Sequence, residues 1–151
     1  MLSQPKLSIN PKKQEYYLLR DFNIKILNEE IVVPQFYSFD GASIPAVAWT
    51  ITYTPFHPHV MVCALVHDFL YANHQVTKDV ADKIFHQLLL DNGVGSKTAY
   101  LMYIAVKFGG GSAYKNNEKD IEYLKELYHQ TLARTDDIEK YKFPKDIDYT
   151  K

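Results

Sequence analysis

The sequence predicts an α+β fold, with a small N-terminal antiparallel β hairpin or sheet and an ordered loop packed on a bundle of about four helices. Residues 15–34 place short apolar runs around a polar break, as hairpin strands do. Residues from about 58 to 132 carry helical patterning in four stretches separated by turn residues. The chain has 151 residues, 46% hydrophobic and 23% charged, which suits one domain able to bury a core. Its expected division is a flexible arm at 1–13, a globular domain at 14–134 and a charged tail at 135–151.

The arm carries Pro5, Pro11 and lysines. Strand-like residues then run from Glu15 to Pro34, with the turn expected at Asn28-Glu29-Glu30, and Pro34 ends the second strand because it cannot donate to a ladder. Residues 36–58, FYSFDGASIPAVAWTITYTPFHP, show no clean period of 2 or 3.6 and read as ordered loop with short extended pieces. A first helix is expected from Pro58 or His59 to Asn73. Thr77 should cap a second that runs to Asp91, with Asp79 in its first turn and Asn92-Gly93 as the stop. Ser96 should cap a third, ending at Gly109-Gly110-Gly111. Asn116 or Asn117 should open a fourth, carrying Ile121, Leu124, Leu127, Tyr128 and Leu132 on its apolar face.

Composition excludes several classes. The formal net charge is −1, and lysines and arginines do not cluster with aromatics, so no nucleic-acid surface is expected. No apolar stretch reaches membrane-spanning length. The N-terminal residues lack the apolar segment of a secretory signal, which implies cytoplasmic synthesis. The single cysteine, Cys63, cannot form an intramolecular disulfide and reads as a small buried hydrophobe. There is no nucleophile elbow and no phosphate-cradling P-loop.

The informative stretch is 61–74, MVCALVHDFLYANH, in which six apolar residues lead directly into His67-Asp68. Helical geometry stacks Cys63, His67, Tyr71 and His74 along one stripe and turns Asp68 about 100° away from His67. The two polar side chains therefore serve adjacent tasks and cannot clasp one object. Asp82, at the border of the second helix's apolar face, is the expected partner of a His67 ring nitrogen. That pairing is a general-base design, in which the carboxylate fixes the tautomer and the other nitrogen deprotonates water. Asp40, in FDGASIP, and Tyr71 are the further catalytic candidates. Asp68 is the metal-ligand candidate, with calcium or zinc as the divalent cation. The same residues admit a structural reading, in which the histidine is a bonded core residue, Asp40 belongs to an ordinary Asp-Gly turn and Tyr71 is a packed aromatic. His57, His59 and His74 do not have the spacing of a structural zinc site.

The order VP–F–DGASIP, then VHDFLY, then ADKIF and LMYIAVKFGG resembles an uncharacterised family of small proteins common in phages and prophages, often encoded among tail or late genes. Ala46 stands where that family usually has a basic residue. The resemblance implies a phage or prophage accessory or virion (tail)-associated protein, with phage structural proteins as partners. CALVHDFLYAN is also similar to the catalytic helix of phospholipases A2. That similarity implies His67 as base for water, Asp68 as calcium ligand and Asp82 as the supporting carboxylate. A hydrolase acting on a lipid or cell-envelope bond is then the alternative expectation.

Overall fold

The computed structural model describes residues 3–12, 15–39 and 57–151. β1 (Leu7–Asn10), β2 (Glu15–Leu18) and β5 (Ser38–Phe39) form an antiparallel sheet in the order β1-β2-β5. β3 (Phe22–Ile26) and β4 (Glu29–Val33) form a separate hairpin. Five α-helices follow among the described residues: α1 (Met61–Asn73), α2 (Lys78–Asp91), α3 (Ser96–Gly109), the short α4 (Gly111–Tyr114) and α5 (Glu118–Leu132). The fold is thus α+β, as the patterning predicts. The loop expected at 36–58 falls largely on residues 40–56, outside the described residues.

The hairpin turn lies one residue earlier than expected. Glu29 and Glu30 pair with Ile26 and Lys25, leaving Leu27-Asn28 as a two-residue loop in which both φ are positive, at 49° and 65°. This backbone matches the strand twist, and the register sends Ile31 and Val33 inward, where both are fully buried.

α1 is the central element. Ten of its thirteen residues are buried, so a polar group on it must find a partner inside the protein. α2 packs on α1 and carries α3 on its other side. Thr77 Oγ1 caps α2 by accepting from Val80 N at 3.4 Å. Gly95, and not Ser96, is the N-cap of α3. Asn117 and Asp120 form a capping box at α5. Leu124 and Leu127 of α5 are buried, whereas Leu132 is 43% exposed.

Both chain ends join the fold more fully than composition suggests. Within the segment expected as an arm, β1 pairs residue by residue with β2 from Leu7↔Leu18 to Asn10↔Glu15. Beyond residue 134, Tyr141 and Phe143 enter the core, and Tyr149 stacks on Tyr128 with ring centroids 4.0 Å apart. Asp21 fastens this C-terminal segment. Its carboxylate accepts from Gln35 N, Arg134 Nη2 and Tyr141 Oη, each at 2.8 Å. Burial alone would push the Asp21 carboxyl up, but these donors hold it below the ordinary carboxylate range.

Leu27 is half-exposed yet held in the left-handed region, which a branched side chain adopts at a cost. Leu27→Asn should therefore raise stability by about 1 kcal/mol in a thermal melt. A lower melting temperature would show that the packing of the Leu27 side chain outweighs the backbone strain.

Candidate functional site

The site is built on the join of α1, α2 and the end of α3. Asp82 is almost completely buried, and three donors converge on it. Oδ1 accepts from His67 Nε2 at 2.8 Å and from Tyr71 Oη at 2.5 Å. Oδ2 accepts from Lys78 Nζ at 2.7 Å, one turn earlier on the same helix. The Lys78 ammonium also donates to the carbonyls of Val106 and Lys107, both at 3.0 Å, so one side chain ties α2 to the C-terminus of α3. The pairing expected between Asp82 and a His67 ring nitrogen is present.

Electrostatics fix the protonation states. Burial would push the Asp82 carboxyl up, but the bonds from His67, Lys78 and Tyr71 outweigh it and hold the group below its ordinary value. Burial pulls the His67 imidazole down, and the Asp82 bond opposes this only in part. Burial, with the Asp82 carboxylate beside it, pushes the Tyr71 hydroxyl up. At neutral pH the cluster therefore holds Asp82 as an anion beside neutral His67 and Tyr71.

The tautomer follows. An ionised carboxylate only accepts, so the proton of neutral His67 sits on Nε2, and Nδ1 keeps its lone pair. Nδ1 is buried and has no hydrogen-bond partner among the described residues. The ring lies between Tyr71 and Phe85, with centroids 4.1 and 4.8 Å away. His67 is fully buried, and neither of the two described clefts is lined by it.

Asp68 faces elsewhere, as the helical geometry requires. It accepts the hydroxyl of the buried Tyr37, just before β5, and lines a cleft of about 530 Å³ together with Tyr71, Tyr123, Ser112 and Asn116. Tyr37 packs edge-on to Phe69, and Tyr123 Oη accepts from Ser38 N at 2.6 Å. Among the described residues no three His, Cys, Asp or Glu side chains converge to hold a metal ion. Those residues do not make a cation shell on their own. Asp40 lies outside the described residues. The structure thus joins His67, Tyr71 and Asp82, and places Asp68 on the adjoining face.

Three participants were not read from the sequence. Lys78 carries a signal in its i, i+4 spacing to Asp82. Tyr37 has no local signal, since its contact spans 31 residues. Gly110 stands in the sequence only as part of the glycine run that ends the third helix; it caps α3 and is also buried, with ordinary backbone angles. A Cβ there would sit 2.6 Å from Tyr71 Oη and 2.7 Å from the Val106 carbonyl oxygen. Glycine at this position supplies room for the tyrosine that bonds Asp82. Cys63 is fully buried, with its thiol pushed up to about 12 by burial, and is chemically quiet.

A model of an uncharacterised family, "Protein of unknown function (DUF1353)", matches residues 16–106, more than half of the chain. The chain belongs to the DUF1353 family. The matched segment takes in most of β2, β3 to β5, α1, α2 and most of α3, and so contains Asp82 and its three donors, His67, Tyr71 and Lys78. No curated protein and no solved structure matches the DUF1353 chain.

Two outcomes follow from this geometry. Because folding depresses the pKa values of both His67 and Asp82, the unfolded chain takes up protons first as pH falls. The stability difference from His67 should be present above its ordinary value of about 6.5 and be lost progressively below it. Asp82 should extend the loss into the carboxylate range. Denaturant titrations from neutral to acid pH should show this decline, and His67→Gln should remove its upper part. Gly110→Ala should cost about 1–3 kcal/mol by displacing Tyr71 or the Val106 carbonyl. Gly111→Ala, which meets open space, is the control and should be close to neutral.

Proposed function

We propose that the chain is a phage- or prophage-encoded, virion (tail)-associated accessory protein whose His67–Asp82 pair is the general base of a hydrolase acting on a lipid or cell-envelope bond. One observation carries the chemistry: Asp82 holds His67 through Nε2, while Nδ1 keeps a lone pair that no described residue bonds. Leaving a buried acceptor unsatisfied costs about 1–3 kcal/mol, a cost that a purely structural histidine has no reason to bear. The order of motifs along the chain supports the phage setting.

In this reading Nδ1 takes a proton from water as the oxygen attacks the carbonyl carbon of the scissile bond. His67 becomes an imidazolium whose charge the Asp82 carboxylate stabilises. It then returns the proton to the departing oxygen or nitrogen, and the bond to the carbonyl carbon breaks. Tyr71 and Lys78 act as positioning residues, because they hold the carboxylate and not the substrate. The enclosed ring requires that substrate entry open a path to Nδ1. The arrangement of a His-Asp pair with a carboxylate on the next helix supports the likeness to phospholipases A2. Asp68 as a calcium or zinc ligand would need donors beyond those described, and no step depends on it.

The test is release of fatty acid from phosphatidylglycerol and phosphatidylcholine vesicles, alongside turnover of short nitrophenyl esters, with and without calcium. His67→Gln keeps a donor towards Asp82 but has no base. It should lose at least about 100-fold in rate while melting close to the parent. Equal rates in parent and variant would overturn the assignment. So would a parent without hydrolysis combined with a sharply lower melting temperature in the variant, since the cluster would then be a structural device.

A further inference from the structure

We propose that the outward face of α3 is a docking surface for an anionic lipid bilayer. α3 buries Ala99, Met102 and Val106 against the rest of the protein. On the opposite side, Lys97, Leu101, Ile104 and Phe108 follow one another at spacings of four, three and four residues, a single stripe along the helix. Phe108 is 78% exposed and Leu101 42%, with Tyr100, 54% exposed, on the flank. Large apolar side chains this exposed and this contiguous mark an interaction surface.

The charges select the partner. α3 contains Lys97 and Lys107, both exposed, and no acidic residue, although the whole chain is slightly acidic. The Lys107 ammonium lies 5.8 Å from the centre of the Phe108 ring, so cation and apolar group are presented together. A two-fold contact between copies would bring these lysines together with no carboxylate on α3 to answer them. A surface of anionic headgroups over an apolar interior satisfies both features at once. At 14 residues α3 is too short to cross a bilayer and suits lying in its surface.

The placement also serves the dyad. Lys107, at the end of the stripe, gives its carbonyl to the same Lys78 ammonium that bonds Asp82. Ser112 and Ala113, a few residues beyond Phe108, line the cleft that contains Asp68 and Tyr71. Docking through α3 would set a membrane beside that cleft. The docking proposal extends the hydrolase reading but does not depend on it.

The experiment is co-sedimentation of the full chain with vesicles of phosphatidylglycerol or of phosphatidylcholine. Binding should favour phosphatidylglycerol and weaken as salt rises. The doubly substituted Leu101→Ser/Phe108→Ser variant should stay folded, since both side chains are exposed, and bind about tenfold or more weakly. Lys97→Gln/Lys107→Gln should flatten the salt dependence. His67→Gln should bind as the parent does, which separates a failure of docking from a failure of hydrolysis. No binding to phosphatidylglycerol vesicles, or undiminished binding by Leu101→Ser/Phe108→Ser, would overturn the proposal. A dimer that the same double substitution abolishes, without vesicle binding, would overturn it in favour of a second copy of the chain.

Discussion

The structure depends on keeping one carboxylate ionised inside the protein. Asp82 sits where an unpaired charge would be expelled or neutralised, and it stays an anion because three donors reach it from two helices. Removing any donor leaves the others compensating a charge they were not arranged to carry alone. Lys78 is the donor that matters most for architecture. Its ammonium meets a full negative charge on one side and the carbonyl end of α3 on the other. One cation thereby neutralises the carboxylate and fixes a helix that otherwise meets the bundle mainly through α2.

The same arrangement dictates what His67 can do. The bonds from His67, Lys78 and Tyr71 keep Asp82 ionised, Asp82 keeps the histidine proton on Nε2, and burial keeps the ring neutral. The lone pair on Nδ1 is a consequence of those three facts. A structural histidine in such a place would ordinarily use its second nitrogen to accept from a backbone N–H or a side-chain donor. Asp68, one residue further on, turns to a different face and joins Tyr37, so its acidity does not act on the His67–Asp82 pair through a shared hydrogen bond. The His67 ring lies between the rings of Tyr71 and Phe85, on a helix face that Asp68 does not share.

What could be read in the sequence was what helical periodicity and capping chemistry encode. The stripe of His67 and Tyr71 follows from a period of 3.6, and a short connection between antiparallel helices brings Asp82 opposite them. Thr77, Asn92-Gly93 and Asn117 mark helix ends by their own side-chain and backbone chemistry. Other features lacked any local signature. Tyr37 meets Asp68 across 31 residues, and Asp21 meets Tyr141 across 120, separations at which a single sequence carries no pairing information. Tyr141 and Phe143 are core residues within a charged, proline-bearing stretch, and no period announces them. Gly110 was hidden for a different reason. Glycine after a helix has an obvious conformational explanation, whereas here its backbone is ordinary and the need is for space beside Tyr71.

The position of α3 then acquires a physical meaning. Its inner face is anchored by small and apolar residues, and its carbonyl end is held by Lys78. Its outer face spends Leu101 and Phe108 on solvent. A helix that only closed the bundle would gain by carrying polar residues there. Exposing a phenylalanine beside a lysine lowers solubility without adding internal contacts, a cost accepted where the face has something to meet. Any force that shifts the end of α3 acts directly on Lys78, and through Lys78 on the carboxylate that orients His67. The path from the exposed helix to the buried base is therefore two side chains, Lys78 and Asp82, and three hydrogen bonds, short enough for events at the surface to alter the environment of the ring.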